Sequence, residues 1–173
     1  QRPASSALDL LAGTLDGLVV RLTLDEQGEL LLLDTIHACG CYHLFLASGR
    51  LKPRPRAAPD EEWLFAPAGL PDLRPGQTLL VQVSSGSHDV MGVVATARNP
   101  AGGSNGGASR YGLDKEQALR SLPAGGLGAD GPRRSLYGPD GLVAGTQRGE
   151  RWLFWPMGIA SAGAMRQWGH HAT

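Results

Sequence analysis

The sequence predicts a mainly β fold, all-β or α+β, in which a sandwich-like or barrel-like antiparallel sheet is accompanied by one or two short helices. Three observations favour this class: short segments of β-forming residues, turn residues at frequent intervals between them, and few segments with helical end signals. The chain has 173 residues, a length that suits one domain with a substantial hydrophobic core. We therefore expect residues 1–173 to form a single β-rich domain, either a mature chain or a fragment of a longer one.

Segments rich in β-forming residues and bounded by turn residues define the predicted strands. They cover residues 18–24, 29–37, 42–47, 63–66, 77–84, 89–97 and 151–155. An Asp-Glu-Gln-Gly turn separates the first two strands and Ser-Gly-Ser-His separates the fifth and sixth, so each pair predicts an antiparallel hairpin. The unbroken run from Leu30 to Leu33 indicates a strand that is covered on both faces.

Helical end signals occur at residues 6–13, 114–122 and 162–171. The middle segment has the clearest signals, because Asp114 can cap the helix and Pro123 stops it. The aromatic run Trp152-Leu153-Phe154-Trp155 is instead expected to close the core as a strand, since aromatic side chains bury a large area. The predicted helices are therefore minor additions to the sheet.

The charge balance and the absence of certain motifs exclude several classes of function. Lys and Arg total 16, and Asp and Glu total 16, so no general attraction to nucleic acid or to an anionic membrane is expected. The sequence has no apolar run of membrane-spanning length and no signal-peptide pattern, which predicts a soluble protein. It also lacks a G-x-x-x-x-G-K-[ST] loop, so no nucleotide cofactor is indicated. A protein or small-molecule partner stays open.

One stretch carries most of the chemical information: His37-Ala38-Cys39-Gly40-Cys41-Tyr42-His43. Both cysteines of the chain and two of its five histidines fall within these seven positions. Sulfur and imidazole ligands favour zinc or Cu(I) over magnesium or calcium. The sequence therefore predicts a small domain that binds a transition metal, zinc or copper, with His37, Cys39, Cys41 and His43 as candidate ligands.

Strand geometry limits how these side chains can share one ion. On a regular strand all four would lie on one face, with successive Cα atoms about 6.5–7 Å apart. They could not all converge on a metal whose bonds are about 2.0–2.3 Å long. Gly40 removes this limit, because glycine can adopt a positive φ and kink the chain between the two cysteines. A more distant histidine would then complete the site, and the candidates are His88, His170 and His171.

Two other functions compete with metal binding. In the first, the cysteines and histidines are structural and the protein is a non-catalytic interaction domain that binds through the loops at 49–60 and 99–109. In the second, the cluster serves a thiol-dependent enzyme or redox protein, with a cysteine nucleophile beside a histidine or with a labile Cys39–Cys41 disulfide. The sequence leaves open whether the chain is an enzyme.

Three short matches to known motifs stand in the wrong context. Residues 102–106 fit G-x-S-x-G, but no helix follows at once as a nucleophile elbow requires. Residues 126–131 fit G-x-G-x-x-G, but they follow a predicted helix rather than a strand. Ser87-His88-Asp89 has the residue types of a catalytic triad, but neighbouring side chains on an extended chain point in opposite directions. None of the three matches is therefore expected to form a catalytic motif by itself. His88 could still act with distant partners, because a turn position keeps it accessible.

Overall fold

The computed structural model describes residues 6, 17–55, 64–85, 87–98, 112–124 and 131–167. Over these residues the protein is mainly β, with mostly antiparallel strand pairs and one short α-helix, which confirms the predicted fold class. The chain divides into two compact units. The larger unit comprises residues 1–98 and 146–165, and the smaller unit comprises residues 99–145 and 166–173. None of the described sheets closes on itself.

The larger unit contains a four-stranded sheet in the order β1-β2-β3-β4. Its strands are β1 (Leu18–Leu24), β2 (Leu30–His37), β3 (Leu44–Ala47) and β4 (Phe65–Gly69). The pairs β1–β2 and β2–β3 are antiparallel, whereas β4 runs parallel to β3. The inner strand β2 is the most buried element, with residues 33–36 buried. Of the leucine run predicted to be covered on both faces, Leu33 is buried and the three preceding leucines are only partly buried. Leu33 and Ile36 are each 1 % exposed.

The larger unit also contains the second predicted hairpin. Its strands are β5 (Gln77–Val83) and β6 (Val90–Ala97), which pair in antiparallel register from Gln77 opposite Ala97. The turn between them holds His88, whose φ is +60° and whose backbone N–H donates to the carbonyl of Ser84. Both hairpins therefore form where alternation and turn residues predicted them.

The smaller unit has little regular structure among its described residues. It contains a 3₁₀ helix at Glu116–Arg120 and the two-residue strands β7 (Leu122–Pro123) and β8 (Arg133–Arg134). The helix predicted at 114–122 is present only as this shorter 3₁₀ helix. Asp114 does not cap a helix, because its carboxylate accepts from the adjacent backbone N–H of Lys115. None of the 3₁₀ residues is buried, so no apolar face stabilises a longer helix.

The strand predicted at 151–155 is wrong. Residues Arg151–Phe154 form the helix α1, and a 3₁₀ turn at Trp155–Met157 follows it. The helical path lets the indole N–H of Trp155 donate to the carbonyl of Ala162 at 2.8 Å. Trp152 is 71 % exposed and Leu153 is 55 % exposed, so this segment does not close the core. Arg151 lies over the Trp152 ring, 4.8 Å from its centroid.

The described part of the predicted terminal helix, residues 162–167, is not helical. Gly163 adopts a φ of +87° there, which is incompatible with a right-handed helix. Several other predictions lie outside the described residues. They are the helix at 6–13 apart from Ser6, the loop at 99–109 with its G-x-S-x-G match, residues 125–130, His170 and His171. In the described part of the chain, no helix is both long and apolar enough to cross a membrane.

Candidate metal centre

The turn between β2 and β3 brings the two cysteines together. The backbone N–H of His37 donates to the carbonyl of Cys41 at 3.0 Å, and the N–H of Gly40 donates to the carbonyl of His37 at 2.8 Å. Gly40 has a φ of +84°, the left-handed region that glycine occupies without strain. The kink that the sequence required between Cys39 and Cys41 is therefore present, and the strand does not run straight through the motif.

A second segment, Thr146–Met165, lies against this turn in the larger unit. The N–H of Gly163 donates to the carbonyl of Cys39 at 2.9 Å, and the N–H of Arg148 donates to the carbonyl of Gly163 at 2.8 Å. The contact is so close that a Cβ placed on Gly40 would lie 1.9 Å from the carbonyl oxygen of Ser161. Glycine at position 40 therefore allows both the positive φ of the turn and the close contact with the Thr146–Met165 segment.

This contact places Glu150 beside the cysteines. The two Sγ atoms and a carboxylate oxygen of Glu150 all lie within 4.8 Å of one another. The Cys41 thiol donates to Oε1 of Glu150 at 3.4 Å. Cys39 is 9 % exposed, Glu150 is 1 % exposed and Cys41 is half-buried. Cys39, Cys41 and Glu150 form a group that could hold a metal ion, and it is the one such group found among the described residues.

The carboxylate of Glu150 is unusually placed for an acidic group. Its Oε1 faces the Cys41 thiol and lies 3.8 Å from Nε of Arg148. Its Oε2 is buried and has no hydrogen-bond partner among the described residues. Burial of a carboxylate oxygen without a partner costs free energy. A cation held between the two sulfurs and this carboxylate would remove that cost, so the donor set fits a metal.

The two thiols perturb each other's acidity in opposite directions. The hydrogen bond from the Cys41 thiol lowers the pKa of Cys39 to about 6, although burial opposes this shift. The backbone N–H of Cys41 and the positive charge of Arg148 also lower the pKa of Cys39. The same hydrogen bond to Cys39 raises the pKa of Cys41, and burial and the negative charge of Glu150 add to this effect. These opposite shifts favour loss of the proton from Cys39 before Cys41.

This asymmetry predicts how the metal-free protein reacts with a small alkylating reagent. Because the thiolate is the reactive form, the alkylation rate of Cys39 is expected to rise with pH through about 6 and to level off near neutral pH. An ordinary cysteine, whose pKa is about 8.5, would still be gaining reactivity there. The measurement is a pH–rate profile with peptide mapping by mass spectrometry.

The matched variant for this prediction is Cys41→Ala, which removes the thiol donor and should move the Cys39 profile to higher pH. An unchanged profile in Cys41→Ala would contradict the assignment of the hydrogen bond as the cause. The backbone donor and Arg148 remain in that variant, so we expect the profile to shift only part of the way to an ordinary cysteine.

His43 of the motif is engaged within the sheet. Nε2 of His43 lies 3.0 Å from Oδ1 of Asp34, which also accepts from Nε and Nη2 of Arg21 at 3.0 and 2.6 Å. Burial alone would raise the pKa of Asp34, but the hydrogen bonds from His43 and Arg21 outweigh it and hold this pKa below its ordinary value. Asp34 thus anchors β1 and the start of β3 to the buried strand β2.

The other described histidines also lie outside the metal group. Nε2 of His37 is 3.8 Å from Oδ1 of Asp89, and its ring stacks at a tilt on Tyr42 with a centroid distance of 4.9 Å. His88 belongs to the β5–β6 turn. The structure describes five of the candidate ligands that the sequence predicted: His37, Cys39, Cys41, His43 and His88. It brings the two cysteines together and adds the carboxylate of Glu150.

Glu150 carries no signal that sequence reasoning could have used. It stands 109 positions from Cys41, in a Gly-Glu-Arg context that matches no ligand spacing. Comparison of the chain with protein-family models, with curated proteins and with solved structures found no match. The fold and the site therefore define a broad class: a mainly β protein with a Cys–Cys–Glu group that could hold a metal ion.

Proposed function

We propose that this protein binds a zinc ion through Cys39, Cys41 and Glu150. The observation that carries the proposal is the buried carboxylate of Glu150, which faces two sulfur atoms within 4.8 Å and keeps one oxygen without a hydrogen-bond partner among the described residues. Thiolate and carboxylate are both established zinc ligands. A chain of this length does not need a metal to build its core, so the ion serves the site rather than the whole fold.

Charge balance supports a divalent ion. Two thiolates and one carboxylate carry three negative charges when a metal has displaced the thiol protons. Zinc contributes two positive charges, and the guanidinium of Arg148, 3.8 Å from the Glu150 carboxylate, contributes one more. The buried cluster would then be neutral, which is the condition under which charged groups are tolerated in a protein interior.

The carboxylate favours zinc over Cu(I). Cu(I) is selected by soft sulfur ligands, whereas zinc accepts sulfur, imidazole and carboxylate together. Copper is therefore the second candidate. Its binding would depend on Cys39 and Cys41 and would be nearly independent of Glu150, so the two metals can be separated by the Glu150→Gln variant.

Zinc commonly takes a fourth ligand, and His37 is the proposed source. Its backbone is hydrogen-bonded into the cysteine turn, and its Nε2 lies 3.8 Å from Asp89. A carboxylate behind a histidine is the usual arrangement that orients an imidazole toward a metal. His43 is a weaker candidate because Asp34 already holds it within the sheet. His88 is also weaker, because its backbone belongs to the separate β5–β6 turn.

Elemental analysis of untagged protein purified without oxygen tests this function. We expect about one zinc per chain, lost in the double variant Cys39→Ser plus Cys41→Ser and retained in the control Glu116→Gln, whose residue is exposed. His37→Ala should weaken zinc affinity by about 10- to 100-fold, the usual scale for groups that support a metal site. Absence of bound metal after equilibration with micromolar zinc, or metal retained by the double variant, would refute the proposal.

A further inference from the structure

We infer that Cys39 and Cys41 are a reversible disulfide modification site whose oxidation by a peroxide expels the bound metal. This inference rests on the proposed function for metal release but not for disulfide formation. The chain has two cysteines, and their Sγ atoms lie within 4.8 Å of each other in a common turn. Any intramolecular disulfide of this chain must therefore join these two residues.

The geometry supplies each part that the reaction needs. The Cys41 thiol donates to Oε1 of Glu150, 3.4 Å away, and its sulfur lies within 4.8 Å of the Cys39 sulfur. Cys41 is half-buried, so a molecule as small as a peroxide has access to one side of the pair. Gly40 is the single residue between the cysteines and already holds a φ of +84°, so the chain is curled before any bond forms.

The proposed reaction proceeds in two balanced steps. The Cys39 thiolate attacks one oxygen of hydrogen peroxide, the O–O bond breaks, and hydroxide leaves, so that Cys39 becomes a sulfenic acid. Cys41 then gives its thiol proton to the carboxylate of Glu150, attacks the Cys39 sulfur and forms the S–S bond while the S–O bond breaks. This second hydroxide takes the proton held by Glu150, and the hydroxide released in the first step takes one proton from the solvent. The two sulfurs lose two electrons in total, and the peroxide is reduced to two molecules of water.

The metal leaves because its ligands are consumed. A disulfide sulfur is not a thiolate and no longer serves as a zinc ligand. Oxidation would therefore remove both sulfur ligands and leave Glu150 with the proposed fourth ligand His37. Since a disulfide closed across one residue is strained, it is labile to exchange with small thiols. The site would regain its ligands on reduction.

The first test uses the metal-free protein and hydrogen peroxide. We expect the number of titratable thiols to fall from two to zero, with a monomer lighter by two hydrogen atoms, and dithiothreitol to restore both thiols. Exposed Met91 and Met157 can also be oxidised, but methionine sulfoxide is not reduced by dithiothreitol, so reversal separates the two events. Disulfide-linked dimers, or an irreversibly oxidised Cys39 in place of the internal disulfide, would overturn the inference.

The second test uses Cys41→Ser and the zinc-loaded protein. Without its partner, Cys39 should pass beyond the sulfenic acid to forms that dithiothreitol does not reduce. In the zinc-loaded parent, zinc should appear on a chromogenic chelator in step with thiol loss, and retention of zinc after full disulfide formation would overturn the metal-release step. Failure of the proposed function is seen separately, as a lack of zinc in the reduced protein.

Discussion

Replacing Gly40 by alanine is expected to destabilise the protein by about 3 kcal/mol or more, because two separate costs add. A φ of +84° places any Cβ in the left-handed region, at about 1–2 kcal/mol. That Cβ would also lie 1.9 Å from the carbonyl oxygen of Ser161 and 2.8 Å from that of Ala164. Both are backbone atoms, which cannot rotate away as a side chain would, so the Thr146–Met165 segment must move from the turn.

Gly28→Ala is a matched control for this substitution. Gly28 has the same φ of +84°, but a Cβ there would meet nothing within 4 Å. Its cost should be the backbone term alone, about 1–2 kcal/mol. Denaturant unfolding of both variants isolates the contact with Ser161 as the difference between them. Equal losses of unfolding free energy in the two variants would show that the second segment does not press against Gly40.

Replacing Glu150 by glutamine is expected to remove most of the stabilisation that zinc confers while leaving the metal-free protein nearly as stable as the parent. Glutamine has the shape of glutamate and can still accept from the Cys41 thiol. The substitution removes the negative charge of a buried group, which is stabilising. It also removes the attraction to Arg148, which is destabilising. These two effects oppose each other, so the unfolding free energy of the metal-free form should change by only about 1 kcal/mol.

The metal-bound form should respond much more strongly. If zinc is held at 100 times its dissociation constant, it stabilises the parent by about 2.7 kcal/mol. A 100-fold weaker site in Glu150→Gln would retain only about 0.4 kcal/mol at the same zinc concentration. Thermal unfolding with and without zinc measures both values, with the exposed Glu116→Gln as a control. If zinc stabilised Glu150→Gln as much as it stabilises the parent, Glu150 would not be a ligand. That result would favour a site for zinc or Cu(I) that is built on the cysteines alone.

The strands of the sheet could be predicted from the sequence because the residues that define each strand and turn are close together in the chain. The strand β1 begins and ends at Leu18 and Leu24 as predicted, and the hairpin turn that follows is held by Asp25, whose Oδ1 accepts from the N–H groups of Gln27 and Glu29. The kink at Gly40 could likewise be predicted, because the two sulfurs can converge only if the glycine between them bends the chain.

Only the two cysteines of the site could be predicted from the sequence, because the carboxylate of Glu150 reaches them through a contact between distant parts of the chain. Glu150 reaches the cysteines through hydrogen bonds from Gly163 to Cys39 and from Arg148 to Gly163, neither of which has a local sequence pattern. The aromatic run at 152–155 was misassigned for the same reason. Its alternation suits a buried strand, but no strand among the described residues pairs with this segment, which instead begins as the short helix α1.

The separation of 109 positions between Cys41 and Glu150 also bears on when the site can form during folding. The turn that holds the cysteines needs only a local hairpin, and such hairpins form within about 1–10 μs. Docking of the Thr146–Met165 segment requires closure of a far longer loop, whose entropy is lost before its contacts compensate. A nascent chain would therefore display two adjacent thiols well before the carboxylate reaches them. Under the proposed function, the complete ligand set for zinc therefore forms only at the last stage of folding. Until then the two thiols are exposed to any soft ion or oxidant in solution.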